Sequence, residues 1–392
     1  MPSHHNCLFK ALFLVLVMQT FVDALFLEQL KGLDEVLKNH SVYANRLNEL
    51  DQTLQASKIL KDYMVEEFSS FTTDSVNFLL THSGDDFLAK LIKETDSNFK
   101  TCEKLKQIHK KENFQIRFAS EILQSDNYTG TDEKSNNFFY CVLLFKMNKM
   151  NIGREMLFWN DGNPLTKAKN AEKLYLFFGK SIQGFAELNG KAKVLHGNIR
   201  PESILIDYKS IQNKFELYME PEIRDFDLML ENASGKNLYD RVVRYHPDYR
   251  CPEMKSKVKK DKTSKKEFFD DGFRCFEYSK DFIEDVYALG MTIKNVIDTN
   301  SPAIDTRFHG ISYLQDLAQL MIDVRDKPKT SSIFASIFYK NDKVRPNMKQ
   351  VLKSFLENIK SCEYCQFKSL REEFITSAEK SLESIPDLPI LI

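Results

Sequence analysis

The sequence predicts an α+β protein of two lobes, a small β-rich N-terminal lobe and a larger helical one, preceded by a helical extension. Three observations carry this expectation. Between residues 68 and 145 the apolar residues gather in short runs rich in β-branched and aromatic side chains: 75–80 (SVNFLL), 87–92 (FLAKLI), 114–122 (FQIRFASEI) and 138–145 (FFYCVLLF). A charged segment of helical spacing, residues 99–111, lies between the second and third of them. Beyond Gly153 the period becomes helical, with Leu174, Phe178, Ile182, Phe185 and Leu188 on one stripe and residues 285–297 forming another. A chain of 392 residues, 42% hydrophobic and carrying 31 Phe, can bury a core of that size.

Taken from the start, residues 1–10 are polar and end in Lys10, residues 11–18 (ALFLVLVM) form a short apolar run, and Val22-Asp23-Ala24 resembles a cleavage position. This layout predicts a secretory signal peptide over residues 1–24 and a secreted or lumenal mature chain. The eight-residue apolar core is too short to span a bilayer, and no later stretch approaches that length. Sequons at Asn39, Asn127 and Asn232 then become candidate glycosylation sites, making a glycoprotein. Without the signal peptide six cysteines remain, Cys102, Cys141, Cys251, Cys275, Cys362 and Cys365, a number that permits disulfides without naming pairs. Cys362-x-x-Cys365 lacks a second pair of ligands, so a local disulfide or two thiols fits better than zinc.

Residues 25–64 read as a helical extension, with Leu27, Leu30 and Leu33 on one face and Tyr43, Leu47, Leu50 and Leu54 on the next, broken near His40-Ser41. The lobes follow over 65–147 and 148–358, and residues 359–392 read as a C-terminal tail. An insertion at about 254–280 begins with seven Lys in residues 254–266, expected as an exposed loop, either solvated or a cationic docking surface. A net charge of −1 offers no global field for nucleic acid or an anionic membrane, although local patches survive inside a neutral total; no nucleic acid is expected, and the protein partner is left unnamed.

Five motifs in order point further. Residues 194–207 (VLHGNIRPESILID) resemble the catalytic loop of eukaryotic protein kinases, H-R-D-x-K-P-E-N-I-L. Residues 223–227 (IRDFD) resemble the strand entering the D-F-G metal-binding turn, and 245–253 (YHPDYRCPE) resemble the close of the activation segment. Residues 285–290 (DVYALG) resemble the start of a long buried helix, and 344–346 (VRP) a late R-P motif. The resemblance covers roughly residues 65–358 and implies a bilobal protein-kinase-like fold. It also implies structural roles for three residues: Glu253 paired with Arg345, and Asp285 anchoring the catalytic-loop backbone.

Phosphoryl transfer needs held phosphates, held magnesium and an oriented hydroxyl, and the resemblance lets each part be audited. With Val76 at the end of the phosphate-covering loop, Ser69, Phe71 and Asp74 stand where glycines belong, and no Gly lies between Phe68 and His82. Lys90 of FLAK is the candidate phosphate-pairing lysine, with a solvent-facing strand lysine as the alternative. Glu103 is its candidate partner, although the register of Leu105 and Ile108 favours Thr101. In the catalytic loop, headed by His196, the aspartate base is replaced by Asn198, whose amide can orient a hydroxyl but not take its proton. Gly197 replaces an arginine, Arg200 the loop lysine, and Ser203 the asparagine that holds a second magnesium. Asp225 keeps the position of the metal-binding aspartate, with Asp227 in place of the following glycine. ATP and magnesium are therefore weak cofactor expectations. The reading favours a pseudokinase that binds or scaffolds, over an atypical Ser/Thr-type kinase with weak transfer. Cys251 precedes the Pro-Glu of the segment, and a bridge to Cys275 or two thiols both fit.

Overall fold

The computed structural model describes residues 64–71, 75–95, 101–110, 114, 121–124, 130–131, 137–146, 151–155, 163–210, 217–226, 230–231, 246–252, 258–260, 267–269, 282–323, 345–362 and 367–386. The signal peptide, residues 25–63 of the expected helical extension, the three sequons, Asp74, Asp227, Glu253, Cys275 and Cys365 lie outside them, and Met64, the last residue of that extension, is strand rather than helix.

The N-terminal part is an antiparallel sheet. Its strands are β1 (Met64–Phe71), β2 (Ser75–His82), β3 (Asp85–Thr95), β4 (Glu121–Gln124), β5 (Gly130–Thr131) and β6 (Asn137–Lys146), in the spatial order β1-β2-β3-β6-β4, with β5 also on β6. β2 and β3 are joined by Ser83-Gly84, whose φ values of 52° and 84° are those of a two-residue primed turn, the connection whose twist suits antiparallel strands. β3 is central, paired with β2 on one side and β6 on the other, and its Ala89 and Lys90 are buried. Among the described residues of the expected strand at 114–122, Glu121 and Ile122 are strand, where they open β4 (Glu121–Gln124).

Helix α1 (Thr101–Lys110) turns Cys102, Leu105 and Ile108 inward. These residues, three apart, share one face. Cys102 is disulfide-bonded to Cys141 of β6, with both residues fully buried and their Cα atoms 5.5 Å apart. The bridge ties helix to sheet at the centre of the lobe.

The C-terminal part is helical. After the single turn α2 (Ile152–Glu155) comes α3 (Pro164–Gly190), capped by Asn163, whose side chain accepts from Thr166 N at 2.9 Å, with Pro164 in the first turn where its missing N–H costs nothing. The expected stripe Leu174, Phe178, Ile182, Phe185 and Leu188 is fully buried along it. Short strand β7 (Val194–Leu195) and the hairpin of β8 (Ile204–Ser210) and β9 (Leu217–Ile223) follow, and then β10 (Leu230–Glu231), which pairs with β7. The basic insertion departs from the expected loop: β11 (Val258–Lys260) and β12 (Glu267–Phe269) pair antiparallel, with Lys260 in register with Glu267.

Helices α4 (Ile283–Asn300), α5 (His309–Ile322), α6 (Met348–Ser361) and α7 (Lys368–Ser384) complete the lobe. The last of these departs from the reading of 359–392 as a tail. Leu370, Phe374 and Ala378 bury one face of α7 in the same core, and Phe374 meets Phe355 of α6 at 5.5 Å between ring centroids. A polar seam fixes α7 on α3: Gln183 donates to Ser377 and Ser381, and Ser381 donates to the buried Glu187 at 2.6 Å. No helix among the described residues is long and apolar enough to cross a membrane.

The disulfide gives a direct test. Replacing Cys102 and Cys141 together by Ala opens a loop closed over a sequence separation of 39, and the chain-entropy argument puts the loss on the order of 4 kcal/mol. Urea unfolding is expected to show a lower midpoint for the double variant and for the reduced wild type. Unchanged midpoints would remove the bridge from the account.

Candidate functional site

The β8–β9 hairpin sets up the site. Ile204 opens it opposite Ile223, so the residues just before β8 and just after β9 lie side by side, and Arg224 N continues the ladder to Ser203 O at 3.0 Å. The loop 196–203 is thereby held next to Arg224, Asp225 and Phe226.

A second constraint comes from α4. Asp285, in its first turn and fully buried, accepts from His196 N at 2.8 Å, Gly197 N at 2.9 Å and Asn189 Nδ2 at 2.8 Å. Burial pushes its carboxyl upward, while His196 and these donors pull the other way. The φ of 75° at Gly197 is a left-handed backbone that glycine adopts freely, so the two adjacent amides can point at one carboxylate. His196 is buried too. Its Nε2–H donates to Arg224 O at 2.7 Å and its Nδ1 accepts from Asn198 N at 3.2 Å, an assignment that makes the ring neutral. Burial lowers its pKa, with Asp285 opposing. Edge-on contacts with Phe185 and Phe226, at 5.7 and 4.8 Å, complete its surroundings. His196 acts here as a structural pin.

Lys90 and Asp225, 135 residues apart, meet at 3.0 Å, with the lysine 3% and the aspartate 8% exposed. The protein-kinase-like fold is plain in this geometry. A small sheet presents a buried lysine to the loop following β9, and a long helix anchors the adjoining loop through Asp285. Among solved structures, this kinase-like chain is similar to the BubR1 kinase domain, at 13% identity over 81% of this chain and 85% of that one, with a TM-score of 0.45. It is also similar to the ROP18 kinase domain in complex with AMP-PNP and sucrose, at 11% identity over 82% of each chain, with a TM-score of 0.37. No family model matches the chain and no curated protein matches its sequence.

The remaining candidate residues fall differently from the kinase pattern. Glu103 requires correction: it is exposed, because α1 turns Cys102 rather than Glu103 toward the sheet, and Lys90 is paired with Asp225 instead. Ser203 is fully buried. Its hydroxyl donates to Arg200 O at 2.8 Å and accepts from Arg200 N at 2.9 Å, closing the turn Pro201–Ser203 on itself. Arg345 donates to Met321 O at 2.6 Å and to Ile322 O, closing the C-terminus of α5, and its guanidinium lies 4.9 Å from the Tyr287 ring.

Asn198 lines a small pocket with His246, Tyr249, Glu284 and Asp285. Both of these carboxylates are engaged: Asp285 holds the loop, and Glu284 accepts from Cys251 N at 3.1 Å and Cys251 Sγ at 2.6 Å. Cys251 thus keeps its thiol for Glu284 rather than a bridge. The Glu284 contact had no signal in the sequence, since it depends on how the 246–252 segment lies against α4.

Arg224, which adjoins Asp225, belongs to the site although no kinase motif marks it. Its Nε and the Nη2 of Arg200 each lie 3.8 Å from Asp225 Oδ2, while Lys90 takes Oδ1. Burial raises the Asp225 pKa, but Lys90, Arg224 and Arg200 outweigh it and bring the carboxyl down to about 2. These residues do not fit magnesium. A cation placed on Asp225 would face three protein cations, Ser203 has spent its hydroxyl locally, and Asn198 offers an uncharged amide. Among the described residues no cluster of three His, Cys, Asp or Glu could hold a metal ion.

The lowered pKa predicts acid sensitivity with a definite sign. A fall from 3.8 to about 2 corresponds to roughly 2 kcal/mol. That stability is fully present above about pH 5 and is lost as pH falls through 4 toward 2. Chemical denaturation of wild type and Asp225→Asn should therefore show a stability gap that narrows over that window. A gap independent of pH would contradict the ion-pair account.

Proposed function

We propose that this chain is a secreted pseudokinase, a kinase-like domain that works by binding rather than by phosphoryl transfer. The observation that carries this reading is Asn198, an amide in the position of the base, in a pocket whose two carboxylates are already engaged. The surroundings of Asp225 and Ser203 add to it, because neither residue is arranged to hold magnesium. Secretion is supported by the apolar segment at residues 11–18 and by the buried Cys102–Cys141 disulfide, a bond that persists in oxidising compartments. The function is then recognition of a protein partner.

One observation favours a second reading, weak transfer by an atypical kinase: the His246 imidazole, a side-chain type that serves as a general base in catalysis, lines the same pocket as Asn198. A transfer assay with γ-labelled ATP, magnesium and generic Ser/Thr acceptor proteins separates the two. The pseudokinase reading expects no label above background for wild type, and none for Asn198→Asp. Incorporation by wild type that His246→Ala removes would establish the second reading instead.

A further inference from the structure

We propose that the outer edge of β8 is a self-association site, taking the β8 edge of a second copy of this chain in a two-fold antiparallel pair centred on Tyr208. The contact uses the end of the hairpin away from Ser203 and Asp225, so it is independent of whether the chain transfers phosphate.

Hydrogen-bond parity in the hairpin fixes which groups face that edge. β8 and β9 pair from Ile204 opposite Ile223 to Ser210 opposite Leu217, and Arg224 N donates to Ser203 O one step further along the same register. In an antiparallel ladder every second residue exchanges hydrogen bonds with the neighbouring strand. Ser203 does so, and Leu205, Asp207 and Lys209 follow it. Ile206, Tyr208 and Ser210 therefore direct N–H and C=O away from β9. Pro221, which has no N–H to give, stands opposite Ile206, where the ladder asks for none. Among the described residues, the other side of β8 carries one bridge, from Leu205 to Asn151 near the start of the strand. Positions 207–210 lie beyond it.

The side chains select the partner. Cross-strand neighbours share a face, so Tyr208, Ser210, Leu217 and Met219 lie on one side of the hairpin. Tyr208 is 39% and Leu217 47% exposed, two of the three large hydrophobics that the described residues expose. Asp207 and Lys209 lie on the opposite face, 2.8 Å apart as an ion pair. A two-fold pair centred on Tyr208 sets Tyr208 against Tyr208 of the second copy. Asp207 then meets its Lys209, and Lys209 its Asp207. Both charge pairs fall at non-hydrogen-bonded positions, where side chains approach most closely. The pattern is self-complementary, as an isologous contact requires. A lysine alone on an edge strand discourages pairing. With Asp207 two residues away it selects a strand of reversed charge order, and β8 read backwards is that strand. The surroundings keep this balance: Glu220, opposite Asp207, is held by Lys180 at 2.8 Å, and the connecting residues 211–216 contain one Lys and one Glu.

Sedimentation velocity of the full chain over a broad range of protein concentration tests this. An edge of this length buries little area, so a weak monomer–dimer equilibrium is expected rather than a tight dimer. Asp207→Lys and Lys209→Asp each set like charges face to face and should weaken association about tenfold. The variant carrying both substitutions reverses the charge order in both copies and should return association to the wild-type level. Mixing the two single variants should restore it as well, since two lysines then face two aspartates. Tyr208→Pro removes the outward N–H without touching the β9 ladder and should abolish association, with circular dichroism to check that it is folded. A chain that stays monomeric at every concentration would overturn the proposal. So would association that the single charge changes leave intact, or that the double exchange fails to restore. Association kept by every variant would place the contact elsewhere on the chain and overturn it equally.

Discussion

Burying a carboxylate obliges the fold to neutralise it, and the way Asp225 is neutralised governs most of what this protein can do. Lys90 reaches it from the central strand of the sheet at 3.0 Å, so the pair joins the β-rich part of the chain to the loop that follows β9. Arg200 and Arg224 take the remaining oxygen's surroundings. A carboxylate with one cation beside it can still serve a metal. Asp225 has three, and in the pseudokinase we propose it serves as a counter-ion.

The same division runs through the rest of the site. Asp285 organises the catalytic loop as a rigid object, accepting from two backbone amides and Asn189, while His196 is pinned between Arg224 O and Asn198 N. This scaffolding is complete. What it presents is an amide at 198, a hydroxyl at 203 closed on its own turn, and a pocket whose carboxylates are committed elsewhere. This arrangement is what the proposed pseudokinase reading rests on, since a fold by itself does not carry an activity.

Much of the fold was legible because it obeys a period. The stripe from Leu174 to Leu188 follows helical spacing and is buried along its whole length, and the runs at 75–80 and 87–92 became β2 and β3 with bounds extended by a few residues. Asp285 and the loop at 194–207 were legible as motifs, since backbone anchoring demands a carboxylate at one place. What escaped notice depended on packing between distant segments. The C-terminal helix looked like a tail until Phe374 met Phe355, and the Lys-rich insertion gave no alternation strong enough to announce β11 and β12. Glu103 is not legible as an outward residue, because the inward face of α1 is set by Cys102 and its bridge to Cys141, a pairing that spacing alone does not reveal. Arg224 could have been found, since it adjoins Asp225, but its position beside Oδ2 is fixed by the β8–β9 register.

Mn²⁺ reports directly on whether Asp225 is a metal ligand or a counter-ion. Water-proton relaxation should be followed while the full chain is titrated into Mn²⁺ in the presence of ATP, for wild type and Asp225→Asn. The counter-ion reading predicts no saturable enhancement for either protein. A saturable enhancement in wild type that the substitution abolishes would contradict it.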